Sequence, residues 1–287
     1  MGRTPFVALL TLALAGCAPR ATIVVASKNF TEQVVLGEIL AQHIERHLNV
    51  EVDRKLNLGG TLLAHQALIS GQIDLYPEYS GTALTAILKM DPMDDPDAVE
   101  EAVRREYRAR WDVEWRPGLG FNNAFAMVVR CEQARRENLR TLSDAARRPV
   151  PWRLGVGYEF VQRPDGLARL QAAYGLPLDG RPVDMDLGLL YRAVQQGQVD
   201  MAAGNATDGV IEALGLCVLD DDRRHFLPYR AAVAVRAEAL STHEGLRTAL
   251  AALEGRIGED AMRRMNAAVD GGKRPVAEVA REFLATL

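Results

Sequence analysis

The sequence predicts an α/β protein of two lobes connected by two crossover strands. Three observations carry that expectation. Strand-length apolar runs alternate with segments of helical period in two sets, one before about residue 120 and one from about 130 to 220. No Gly/Ser/Pro-rich linker divides the sets. The joins near 121–130 and 226–235 are themselves strand-like, so the chain crosses to a second lobe and returns. Lobe 1 is then 21–122 plus 231–287 and lobe 2 is 123–230, which suits 287 residues at roughly 150 residues per domain. Two crossings make a hinge, and closure around a ligand is the usual use of that layout.

The elements justify themselves in order. Thr22 to Ala26 is β-branched and reads as a buried strand. Glu32 to Leu48 has apolar positions at Val34, Val35, Ile39, Leu40 and Ile44, a helical spacing, with Thr31 as its expected N-cap. Val50 to Leu56 alternates as a strand does, and Gly59-Gly60-Thr61 opens a second helix that ends near Gly71. Ile73 to Tyr76 is a third strand, and Ser80-Gly81-Thr82 opens a third helix. A loop at DPMDDPD (91–97) precedes a charged helix over about 97–110. Phe125 to Val129, Arg153 to Val156, Val183 to Met185, Val199 to Ala203 and Tyr229 to Val235 are strands, with helices near 164–174, 187–196 and from about Asp208. The tail from 243 holds three helical stretches broken at Gly255–Gly258 and Gly271-Gly272. Strands alternating with helices in this way predict a mostly parallel sheet in each lobe.

Composition removes several function classes. The 34 basic and 38 acidic residues give a net charge of −4, so no basic excess exists to neutralise nucleic-acid phosphates. A 48% hydrophobic, 25% charged chain is ordinary for a globular protein and unlike a disordered one. Beyond residue 20 no run of about 18 uncharged apolar residues offers a membrane span. Three cysteines cannot make a four-thiolate metal site, and the five histidines lack metal-ligand spacing, so neither metal nor cofactor is expected.

The N-terminus reads as an address. Arg3 supplies a positive region, and Phe6 to Leu14 is apolar but too short to span a bilayer. The run ends in Leu14-Ala15-Gly16-Cys17, which resembles a bacterial lipobox. That resemblance implies removal of 1–16, lipidation of Cys17 and an extracytoplasmic, membrane-anchored protein. Cys131 and Cys217 then remain, either bonded in an oxidising compartment or as two separate thiols.

Three motifs occur together: SKNFTEQ (27–33) after the first strand, DLYPEYSGT (74–82) after the third, and Thr207-Asp208-Gly209 with Leu227-Pro228-Tyr229 in and beyond the second lobe. Over about 22–285 they resemble the substrate-binding proteins of ABC importers for glycine betaine, choline, carnitine and proline betaine. The resemblance implies a two-lobed periplasmic-binding-protein-like fold of type II. It also implies a ligand held in the interlobe cleft by a monomer, and delivery to the permease subunits. A quaternary ammonium has no N–H to donate, so aromatic faces must recognise it, while a betaine carboxylate calls for Lys, Arg and hydroxyls. The resemblance places Tyr79, Phe125, Asn205 and Tyr229 in the cation cage. It places Lys28, Gln33, Thr82, Asn123 and Arg163 in the polar set. Phe125 and Asn205 stand where the family usually has Tyr, and losing one aromatic wall costs about 1–2 kcal/mol. The departure leaves room for a different solute, such as an ergothioneine-like compound or a modified amino acid. Tyr76, Tyr158 and Tyr191 are compensating rings if they are not packed elsewhere. An enzyme on the same fold, a deaminase-type transferase with a cofactor-holding Cys, lacks its Gly-flanked reactive Cys here.

Overall fold

The computed structural model describes residues 22–93, 95–226 and 228–287. The expected leader and Cys17 lie outside the described residues. Among the described residues, ten strands form two five-stranded sheets. The first contains β1 (Ile23–Lys28), β2 (Val52–Gly59), β3 (Leu75–Tyr79), β4 (Val113–Trp115) and β10 (Ala231–Arg236), in the order β2-β1-β3-β10-β4. The second contains β5 (Phe125–Arg130), β6 (Leu154–Val156), β7 (Val183–Asp184), β8 (Met201–Asn205) and β9 (Leu216–Leu219), in the order β7-β6-β8-β5-β9.

The sheets are mixed, with as many antiparallel as parallel strand pairings, and this corrects the expectation of a mostly parallel sheet in each lobe. In each, the strand that arrives from the other lobe runs against its neighbours. β10 is antiparallel to β3 and β4, and β5 is antiparallel to β8 and β9. The other pairings, β1 with β2 and β3, and β6 with β7 and β8, are parallel because helices return the chain between them. The two crossings also pair with each other. The Asn123 N–H donates to the Tyr229 carbonyl at 3.0 Å, and the Ala231 N–H to Phe121 at 3.1 Å. The hinge is thus a short ribbon of two segments of the chain, with an isolated bridge between Asn122 and Arg230.

Each sheet is buried on both faces, and the period of two in its strands decides which core each side chain enters. Val233 and Val235 pack with the long first helix (Thr31–Leu48) and the C-terminal helices, whereas Ala232 and Ala234 pack with Tyr76, Tyr107 and Trp115 on the opposite face. In the second sheet, Met127 and Val129 face Trp152, and Ala126 and Val128 face Leu190. The first helix buries Val35, Ile39, Leu40 and Ile44 as its spacing predicts and ends at Asn49, which is left-handed at φ 51°. It starts at Thr31, so Phe30 occupies the cap. The Thr31 hydroxyl, expected to cap the helix, donates instead to Asp270 at 2.5 Å. No described helix is long and apolar enough to cross a membrane. Cys131 and Cys217 form a disulfide, which resolves the alternative left open by the sequence.

Candidate functional site

The ends of β1, β3, β6 and β8 and the two crossings deliver side chains into the space between the sheets. They enclose a cavity of about 550 Å³, within the usual range for small-ligand sites. Its position outside the carboxyl ends of parallel strands is where open α/β sheets bind ligands. Tyr79, Phe125, Asn205, Tyr229, Lys28, Thr82, Asn123 and Arg163 all line it. Gln33 does not. It is fully buried beneath β1, where its side-chain oxygen accepts the Lys28 backbone N–H at 3.3 Å. A position in the first helical turn aims it at the strand end and away from the cleft.

The aromatic wall is fuller than the sequence reading allowed. Phe30 stacks near Tyr79 at 6.3 Å between ring centroids. Phe160 meets Phe125 edge-on at 4.9 Å, and Phe125 meets Tyr229 at 5.5 Å. Phe30 and Phe160 lie inside motifs already singled out, SKNFTEQ and the stretch YEFVQRPDG (158–166), so their signal was present and unread. Of the three rings considered as compensation, Tyr158 reaches the cavity and is 64% exposed. Tyr76 is fully buried in the first lobe. Tyr191 takes the Asn205 N–H at 3.0 Å and donates its hydroxyl to Asp208.

The two cations arrive already paired. The Lys28 ammonium lies 2.5 Å from Glu78 and 4.8 Å from the Tyr79 ring centroid. Arg163 donates two hydrogen bonds to Asp165, at 2.9 and 2.6 Å, and lies over Phe125 and Tyr229 at 5.0 and 5.6 Å. Burial pushes the Asp165 carboxyl up, but the guanidinium outweighs burial and holds it below the usual range. The rings of Tyr79, Phe125 and Tyr229 thus already face the protein's own cations.

Contacts across the cleft close it. Glu159 of the second lobe accepts the Thr61 N–H at 2.7 Å and the Thr61 hydroxyl at 3.0 Å. Thr61 begins the helix Thr61–Ile69, so this carboxylate satisfies the positive end of a helix in the other lobe. Arg163 donates to Thr82 at 3.1 Å. Thr82 precedes a π-helical turn, Ala83–Ile87. Gly81 permits this approach, because a Cβ there would come within 2.9 Å of the Pro228 carbonyl oxygen and the Tyr229 ring.

Asp208, beside Asn205, is a partly buried acid whose surroundings predict a pH-dependent stability. Burial and the charges of Glu32 and Asp270 push its carboxyl up to about 7, against hydrogen bonds from Tyr191 and Asn205. The folded protein then binds more protons than the unfolded chain between about pH 4 and 7, so stability falls as pH rises through that window. Asp208→Asn is expected to flatten this slope and to melt a few degrees above the wild type at pH 8. Parallel melting curves for the two proteins between pH 5 and 8 would contradict it.

The comparisons with known proteins agree with this geometry. The family profile described as the substrate binding domain of ABC-type glycine betaine transport systems matches residues 21–286. The chain is similar to the carnitine transport binding protein OpuCC of Listeria monocytogenes, 32% identical over 94% of this chain and 88% of that one. It is also similar to the Helicobacter pylori ergothioneine transport permease/ergothioneine binding protein EgtU, 32% identical over 92% of this chain and 47% of that longer protein. The crystal structure of a glycine betaine/carnitine/choline ABC transporter superposes with a TM-score of 0.76 at 32% identity, covering 92% of this chain and 98% of that one. The fold is that of the type II periplasmic binding proteins, and the chain belongs to the family of substrate-binding domains of ABC-type glycine betaine transport systems.

Proposed function

We propose that this chain is a monomeric, extracytoplasmic solute-binding protein that captures a quaternary ammonium compound between its lobes and presents it to an ABC permease. The hinge divides it at 122/123 and 230/231, and a lipid on Cys17 anchors it once 1–16 is removed. It performs no chemistry on the solute. The observation that carries the reading is the aromatic wall, in which Phe30, Tyr79, Phe125, Phe160 and Tyr229 line one interlobe cavity with Arg163 and Thr82 at its side. Such faces attract an alkylated ammonium by about 0.5–2 kcal/mol each when desolvated. The Cys131–Cys217 disulfide supports an oxidising compartment.

A second reading keeps the transport role and changes the solute. Asn205 gives the cavity an amide in place of an aromatic face, and the likeness to an ergothioneine-binding protein accords with a donor-bearing, larger trimethylated compound.

One thermal-shift screen tests both. The panel holds glycine betaine, choline, carnitine, ergothioneine and neutral amino acids. A ligand at 100 times its dissociation constant stabilises by about 2.7 kcal/mol, a readily measured rise. A rise with a trimethylated compound is expected, and Tyr229→Ala should weaken that compound more than its neutral isostere. A rise with neutral amino acids alone would overturn the cation reading.

A further inference from the structure

Glu32 serves neither the ligand wall nor the closing contacts at Glu159 and Arg163, yet it is fully buried and takes four hydrogen bonds. One carboxyl oxygen accepts from the Tyr79 hydroxyl at 2.6 Å and the Asn123 side-chain amide at 2.8 Å. The other accepts from the Thr207 hydroxyl and from the Asn266 amide at 3.0 Å. The four donors come from four parts of the molecule. Tyr79 ends β3, Asn123 lies on the first crossing, Thr207 follows β8 in the second sheet, and Asn266 lies on the helix Glu259–Asp270. Burial pushes the Glu32 carboxyl above its usual range, against these bonds.

The chemistry of the donors makes the arrangement directional. None is a cation. An amide nitrogen can only donate, so turning Asn123 over would set its carbonyl against the carboxyl. Asn266 donates a second hydrogen to the Thr207 carbonyl at 2.9 Å. Thr207 is thus held at both its hydroxyl and its backbone. Close beside it, Gly209 packs so tightly that a Cβ would fall 2.4 Å from the Ala267 nitrogen. Tyr79 and Asn123 line the cavity, whereas Thr207 and Asn266 belong to the lobe contact behind it.

We propose that Glu32 is a positioning residue that transmits lobe closure to the ligand wall. Seating Thr207 on one carboxyl oxygen fixes the carboxyl, and the other oxygen then fixes the Tyr79 hydroxyl and the Asn123 amide. The inference rests on the hinged cleft and on the place of Tyr79 in its wall, and it holds whatever solute binds there.

The test uses ligand-free protein, so it stands apart from the identity of the solute. The chain has seven tyrosines, and 3-fluorotyrosine gives each a fluorine resonance, with that of Tyr79 assigned by its loss in Tyr79→Phe. A spin label on each lobe reports the distance between them. Thr207→Val exchanges the hydroxyl for a methyl of similar size at a residue that does not line the cavity. It is expected to shift the Tyr79 resonance and to broaden the lobe–lobe distances, and Thr207→Ser is expected to restore both. A Tyr79 resonance that ignores Thr207→Val makes Thr207 a plain clamp and overturns the proposal. A moved resonance with unchanged lobe distances overturns it equally. Should Thr207→Val fail to fold, Glu32→Gln, which keeps one acceptor oxygen, is expected to give the same two changes, and their absence refutes the coupling.

Discussion

An Arg163→Leu variant is expected to lose about 3–5 kcal/mol of stability together with its ligand binding. The reason is what it leaves behind. The Asp165 side chain is 1% exposed, and the guanidinium supplies two of its hydrogen bonds and its counter-charge. Tyr229 still donates to Asp165, but a neutral hydroxyl does not offset a buried carboxylate. A second substitution separates the two roles. Replacing a buried pair by apolar residues is often close to neutral, so Arg163→Leu with Asp165→Leu should recover most of the stability. Binding should not return, because Arg163 also bridges to Thr82 and lies over Phe125 and Tyr229. Denaturant midpoints and calorimetric titration measure the two effects. A double variant that regains affinity for a carboxylate-bearing solute would remove Arg163 from the site.

The same pair shows where sequence reading stops. The motifs marked Arg163 and Lys28 as cavity cations, and both line the cavity. What the motifs could not show is that each brings its own acid. Lys28 meets Glu78 across 50 residues of sequence, and Glu32 meets Thr207 across 175. Those two pairs are set by how the strands and lobes pack, whereas the acid of Arg163, Asp165, stands two residues along in the same YEFVQRPDG stretch. Gln33 failed for the opposite reason. It lies in a strong motif, but the helical turn aims it under β1. Asn205 kept its place in the wall while its amide was taken by Asp208 at 3.2 Å. The fold was legible because strand and helix periods alternate cleanly and because the crossings are long apolar runs. β4 and β9 escaped. The first is three residues with Glu114 at its centre, and the second is four apolar residues in a row, too short to show a period. The helix Ala237–Thr242 falls between the returning strand, read to Val235, and the helical tail, read from 243, and six residues are too few to show a helical period.

The larger stability effect should come from the disulfide, and it should leave the cleft alone. Cys131 begins the helix after β5, and Cys217 lies in β9, the strand paired beside it. The bond closes a loop of 86 residues that contains β6, β7 and β8, most of the second lobe. On the chain-entropy account such a loop contributes about 4–5 kcal/mol by restricting the unfolded chain. Neither cysteine lines the cavity, so Cys131→Ser with Cys217→Ser should keep its affinity for whatever solute the screen finds. A single unfolding free energy does not describe two lobes that lose stability unequally, so the lobes need separate probes. Trp152 provides one. It is fully buried in the core of the second sheet, whereas Trp111 and Trp115 belong to the first. The Trp152 transition is expected to move to lower denaturant in the double serine variant, and in the wild type on reduction, while the transition seen in Trp152→Phe holds its place. If both transitions moved together, the second lobe would not unfold as its own unit, and closure would depend on the bond after all. If neither moved, the restriction would already be present in the unfolded chain, and the disulfide would contribute resistance to misfolding instead of stability.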